Sequence, residues 1–109
     1  MVMTRQHQIL IKLKQELAKI SGTTISDIIL FGSQAKGRAG KGSDFDILII
    51  PKQKPDWRQR RVIGDACAEV SIENDIVIDY KIISEDEIRD EPIGCHPLIT
   101  DALKYGIHA

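Results

Sequence analysis

Three short runs dense in isoleucine decide what kind of fold this chain can adopt. They are Ile25 to Phe31, Asp44 to Ile50 and Ile76 to Ile83. Each is too short for an ordinary helix and rich in β-branched residues, so each predicts a strand. The first is apolar enough to be buried on both sides. The second is stopped by Pro51, and Lys52 to Pro55 forms a connection.

Around these runs the spacing turns helical. Between Arg5 and Ile20, apolar residues fall at Ile9, Leu10, Leu13, Leu17 and Ile20, which makes one apolar face. Ser21-Gly22 ends that helix, with Gly22 suited to the C′ position. Asp56 is a good N-cap for a helix running to about Glu69. Ser84 followed by Glu87 reads as a capping box opening a short helix. After a loop through Pro92 and Gly94, His96-Pro97 starts a last helix that ends near Gly106, amphipathic and expected to close the core. The expected order is helix, strand, strand, helix, strand, helix, helix. That order predicts an α/β (α+β) fold, a small mixed sheet with helices packed on one face. The 109 residues fit a single domain, 1–109.

Composition removes several functional classes. The net charge is -1, so no basic field gathers a long nucleic acid. No apolar run approaches the roughly 20 residues that span a bilayer, so no membrane is expected. Nothing after Met1-Val2-Met3-Thr4-Arg5 resembles a signal peptide, and a cytoplasmic location is expected. Cys67 and Cys95 lie far apart without CxxC spacing, so both read as ordinary reduced thiols, and no zinc site is expected. Trp57 reads as a packing residue, and Arg58, Arg60 and Arg61 as a solvated face. His7, His96 and His108 are scattered, which fits capping or surface roles.

The chemistry is concentrated between the first two strands, in Gly32-Ser33-Gln34-Ala35-Lys36-Gly37-Arg38 and Ser43-Asp44-Phe45-Asp46. A strand runs into Gly32-Ser33, and Ser33 to Lys36 could open a helical turn. Without a side chain, Gly32 lets a phosphate approach the backbone. Amides at the start of a turn favour an anion. The Ser33 hydroxyl adds a donor, and Lys36 and Arg38 add positive charge. Asp44 and Asp46, two apart at the head of a strand, point to the same face. Carboxylates so placed repel by about 1 kcal/mol in water and by more when partly buried. A cation between them removes the conflict. Mg²⁺ suits oxygen ligands and takes one or two carboxylates together with substrate phosphates. Phe45 faces the other way, into the core.

This segment resembles the signature of the DNA polymerase beta-like nucleotidyltransferase superfamily, G-S-x-A-x-G followed by S-D-x-D, and most of all its small MNT-type members, which are encoded beside HEPN-domain partners. The resemblance covers almost the whole chain. It implies NTP phosphates on Gly32 and Ser33, with Lys36, Arg38 and Ser43 completing the nucleotide-binding set, and two Mg²⁺ on Asp44 and Asp46. Lys36 stands where an arginine is common. The family also has a third carboxylate from a later strand, implied here as a further metal ligand and as general base for the acceptor hydroxyl; the candidate is Asp79, with Asp75, of the same parity, as the fallback. The implied activity moves NMP, expected to be AMP from ATP, to an acceptor hydroxyl such as a tyrosine of a HEPN toxin partner. Two other readings stay open: an antitoxin that neutralises a ribonuclease by binding alone, and the catalytic subunit of a two-component small-molecule nucleotidyltransferase. The partners expected are a nucleotide and a HEPN-type or other helical protein, with a homodimer also compatible.

Overall fold

The computed structural model describes residues 4–20, 24–32 and 44–109. Its elements run α1 (Arg5–Leu17), β1 (Ile25–Phe31), β2 (Phe45–Pro51), α2 (Trp57–Asn74), β3 (Ile78–Ile82), α3 (Glu85–Asp90), a 3-10 turn (Pro92–Cys95), α4 (Pro97–Tyr105) and β4 (Ile107–His108). The strand order across the sheet is β3-β2-β1-β4. β1 is antiparallel to β2 and β4, and β2 is parallel to β3. A parallel pair cannot be joined by a tight turn, and α2 is the crossover that joins β2 to β3.

Alternation along the strands sends side chains into two apolar layers. Ile28 and Leu30 of β1 and Phe45, Ile47 and Ile49 of β2 point toward α1 and α2, meeting Leu10, Leu13, Ile63 and Val70. Ile29, Leu48 and Ile50 point the other way, to Ile99 and Ala102 of α4. The expected mixed sheet with a helical face describes the larger layer. The smaller one adds α4 on the opposite face, which accounts for the burial of Ile28, Ile29 and Leu30 of β1 on both sides. Each fully buried Ile or Leu contributes about 2 kcal/mol over an exposed one, so the layers dominate any single polar contact. No helix among the described residues is long and apolar enough to cross a membrane.

Local chemistry sets the element ends. Asp56 caps α2 through a box with Gln59, and Ser84 caps α3 through a box with Glu87, as the residue types predict. His96 caps α4 by accepting from the Leu98 N–H at 3.1 Å. α2 runs past Glu69 to Asn74 because Val70 is buried on its core face. Asp75, at φ 53°, then ends the helix in the left-handed region. α1 stops at Leu17 rather than Ile20, although Ile20 still packs into the core. Gly22, expected at the C′ position of α1, lies outside the described residues. Trp57, expected to pack, is 68% exposed, with the Arg58 guanidinium 5.2 Å from its ring centroid. Buried Cys67 has its thiol pushed up to about 12 by desolvation, an inert core group.

β4 has only two residues, too few to leave a pattern in the sequence, and needs help to stay paired. The Ala109 N–H donates to the Ile28 carbonyl at 2.9 Å. His108 Nδ1 meets Asp27 Oδ2 at 2.5 Å, and Nε2 meets the Leu103 carbonyl at 3.1 Å. Both partners are acceptors, so the doubly protonated imidazolium satisfies the pair best. The hydrogen bond to Asp27 accordingly raises the His108 pKa, against a smaller opposing effect of desolvation. A raised histidine pKa stabilises the fold below the unfolded value of about 6.5, and that stabilisation is lost as pH rises through the folded value. His108→Ala should therefore cost about 0.5 kcal/mol, typical of a half-exposed pair, in urea unfolding near pH 6. The difference should shrink at about pH 9; a cost equal at both pH values would contradict the ionic account.

Candidate active site

The site lies where β1 ends and where β2 and β3 begin. Phe45 is buried in the larger core layer, so Asp46, next to it in β2, faces away from that layer, and Asp44 just precedes the strand. Asp46 shares its parity with Leu48 and Ile50, which puts its carboxylate on the α4 side of the sheet. In the parallel ladder Asp46 pairs with Asp79. Ile78, Tyr80 and Ile82 pack against the α1–α2 layer, so Asp79 and Lys81 share the face of Asp46. Register alone thus brings Asp79 beside Asp46. Asp75, the fallback third carboxylate, is spent in ending α2 and lies before the ladder.

Electrostatics bear the marks of this crowding. Asp46 is half-buried, and its pKa is raised, first by desolvation, then by Asp79 and, more weakly, Asp44; Lys81 opposes the shift. Lys81 is a member of the site that the motif did not indicate, although its i+2 spacing from Asp79 was a usable signal. The donor set of Asp44, Asp46 and Asp79 is all hard oxygen, without sulfur or imidazole, which fits Mg²⁺ completed by phosphate oxygens. Among the described residues no three His, Cys, Asp or Glu side chains close around one point as a protein-only cage, so such an ion would need those outside ligands.

Gly32 forms the other wall. β1 pairs Phe31 with Asp46, and the chain then turns through Gly32 at φ +75°. A Cβ there would collide with Asp46 Oδ2. Gly32 is thus required twice over, by its left-handed backbone and by the close approach of the Asp46 carboxylate. Ser33, Lys36, Arg38 and Ser43, the remaining expected nucleotide-binding residues, lie outside the described residues. α4, expected only to close the core, also lines a cleft beside Gly32 through Leu98, Asp101, Ala102 and Tyr105. The amphipathic pattern of α4 reports its buried face and is silent about that one.

Two stability measurements check this geometry. Gly32→Ala should lower unfolding stability by about 1–3 kcal/mol, the cost of a forced left-handed residue, before the Asp46 clash is added. An unchanged midpoint would contradict the backbone assignment. Because the Asp46 pKa is raised, ionising this group opposes folding: stability falls as pH climbs from the unfolded carboxylate value, about 3.9, through the folded one. Without divalent cations, Asp46→Asn should therefore be more stable than the parent at pH 7, with the advantage vanishing below about pH 3. A variant less stable at pH 7 would mean that the carboxylate is satisfied within the fold.

Residues 10–107 match the nucleotidyltransferase domain family. Over 71 residues the chain is 31% identical to a Methanocaldococcus jannaschii protein named "Putative protein adenylyltransferase MJ0141", covering 65% of this chain and 72% of that one. Among solved structures it resembles a toxin–antitoxin crystallised with AMP-PNP, with a TM-score of 0.61 at 19% identity, over 96% of this chain and 72% of the other. It also resembles a doubly Asp-to-Glu-substituted MntA–HpeT toxin–antitoxin, with a TM-score of 0.57 at 17% identity, over 96% and 71% of the two chains. At these identities the structural likeness speaks for the fold. The family match over nearly the whole chain and the 31% identical relative speak for the chemistry. The chain belongs to the nucleotidyltransferase domain family and is a minimal nucleotidyltransferase, an enzyme that transfers a nucleotidyl group.

Proposed function

We propose that the chain, as a single domain over residues 1–109, moves AMP from ATP to a hydroxyl of a partner protein, a tyrosine of a HEPN-type toxin, in a Mg²⁺-dependent reaction. The observation that carries the reading is the pairing of Asp46 with Asp79 across β2 and β3, against Gly32 and near enough to Asp44 to feel its charge. The relative named as a protein adenylyltransferase supports AMP as the group and protein as the acceptor. The toxin–antitoxin structures, one of them with AMP-PNP, support an adenine nucleotide and a toxin partner. The HEPN identity and the tyrosine rest on the sequence resemblance.

In this reading the phosphates lie over Gly32, which has no side chain to block them, with Ser33, Lys36, Arg38 and Ser43 as further phosphate contacts. Asp44 and Asp46 would hold two Mg²⁺ together with the triphosphate, and the bound metal would supply charge neutralisation at the transferring phosphoryl oxygens. Asp79 accepts the proton of the acceptor hydroxyl. The acceptor oxygen then forms its bond to the α-phosphorus as the bond to the bridging oxygen of the β-phosphate breaks. Pyrophosphate leaves with that electron pair. The half-burial of Asp46 strengthens its hold on a cation, since screening by water is reduced.

Labelled ATP, Mg²⁺ and the co-purified partner test this. Label should pass from the α-phosphate to the partner, and Asp46→Asn should reduce transfer on the order of a thousandfold, about 4 kcal/mol of lost transition-state stabilisation. Asp79→Asn should lower kcat by at least about a hundredfold with little change in ATP affinity. A stable, unlabelled complex would instead mean neutralisation by binding alone, and label on a small molecule would mean a different acceptor.

A further inference from the structure

We propose that α4 reads the nucleoside of the NTP, through the ring of Tyr105 and the carboxylate of Asp101. This rests on the nucleotidyl-transfer reading and adds the part of the site that selects the substrate.

The cleft between the end of β1 and α4 has a volume of about 220 Å³. Phe31, Leu98 and Ala102 contribute apolar surface. Tyr105, 67% exposed, and the exposed Asp101 belong to its lining. Gly106 lines it too and must stay small, since a Cβ there would meet Ile29 and the Ala102 carbonyl. The volume falls below the roughly 300 Å³ at which pockets for drug-sized ligands begin, so it admits a base with its sugar and not a whole nucleotide.

Charge decides which part of the nucleotide enters. The Asp101 carboxylate in the lining repels phosphate and accepts hydrogen bonds from uncharged donors. A nucleoside offers such donors on its ribose hydroxyls and on the exocyclic amine of adenine, and a flat face for the Tyr105 ring. Position decides between nucleoside and acceptor. With the order β3-β2-β1-β4, Asp79 lies on one flank of Asp46, and Gly32 with the cleft on the other. In an in-line displacement the attacking and leaving oxygens take opposite sides of the phosphorus. An acceptor delivered at Asp79 therefore leaves the Gly32 flank to the NTP.

Binding of ATP and of inorganic tripolyphosphate, each with Mg²⁺, tests the inference on the full chain and on Asp101→Ala and Tyr105→Ala, two exposed sites whose folding is checked by thermal unfolding. Each variant should weaken ATP about tenfold. Neither should weaken tripolyphosphate, and Asp101→Ala should if anything tighten it, since a repelling charge is gone. Loss of the Asp101→Ala penalty with 2′-deoxy-ATP would place the contact on the ribose, and its loss with ITP on the exocyclic amine; either supports the inference. Unchanged ATP affinity in both variants, an equal loss for both ligands, or equal wild-type affinity for ATP and tripolyphosphate would overturn it while leaving nucleotidyl transfer standing. A wild-type chain that binds neither ligand would overturn both.

Discussion

Two carboxylates that would drift apart in water are held side by side because β2 and β3 run parallel with Asp46 opposite Asp79. The ladder itself does not choose this register. A slip of one residue would keep the backbone bonds and turn Asp79 and Lys81 into the core, with Tyr80 left outside. The choice is made by α2, whose Ile63, Ala66, Cys67 and Val70 are buried against Ile78, Tyr80 and Ile82. Burial of a single such side chain, at about 2 kcal/mol, exceeds the repulsion of about 1 kcal/mol between neighbouring carboxylates in water. The core can therefore impose an arrangement that the acids oppose.

In the proposed mechanism that opposition suits the site to cations. The Asp46 pKa stays raised despite Lys81, so the fold offsets the negative charge only in part. Internal neutralisation by a bidentate arginine would have made a more comfortable apo protein and a poorer metal site. Gly32 completes the logic from the neighbouring strand. Its bare backbone leaves room for the Asp46 carboxylate, which a Cβ at that position would meet.

Residues with strong local chemistry told most in the sequence. The apolar runs marked three strands, Asp56 and Ser84 marked two helix starts, and the i+2 spacing of Asp44 and Asp46 marked a shared face. What stayed hidden depends on pairing between distant segments. Asp79 and Asp75 have the same parity, and only the register of β3 on β2 separates them. β4 exists because Ile107 and His108 find β1, not because two residues prefer to be a strand. Trp57 was misread because its large apolar surface argues for burial, whereas its place at the first turn of α2 leaves it outside, under the Arg58 guanidinium.

The two halves of the site are secured very differently. Its floor, Asp46 and Asp79, stands on the strands that share the large core with α1 and α2. Its cleft wall, α4, rests on the smaller cluster of Ile29, Leu48, Ile50, Ile83, Ile99 and Ala102, and is followed by a two-residue strand held by a half-exposed His108–Asp27 pair. Local opening is easiest where few apolar contacts must be broken, so the α4–β4 end should open well before the floor does. In a chain of this size that division is useful. In the proposed mechanism the carboxylates must be fixed to within a fraction of an ångström for in-line transfer, while a wall beside a substrate that enters and leaves each turnover would gain from yielding. Placing the acids on the parallel core strands and the cleft on the last helix gives each part the stiffness its task requires.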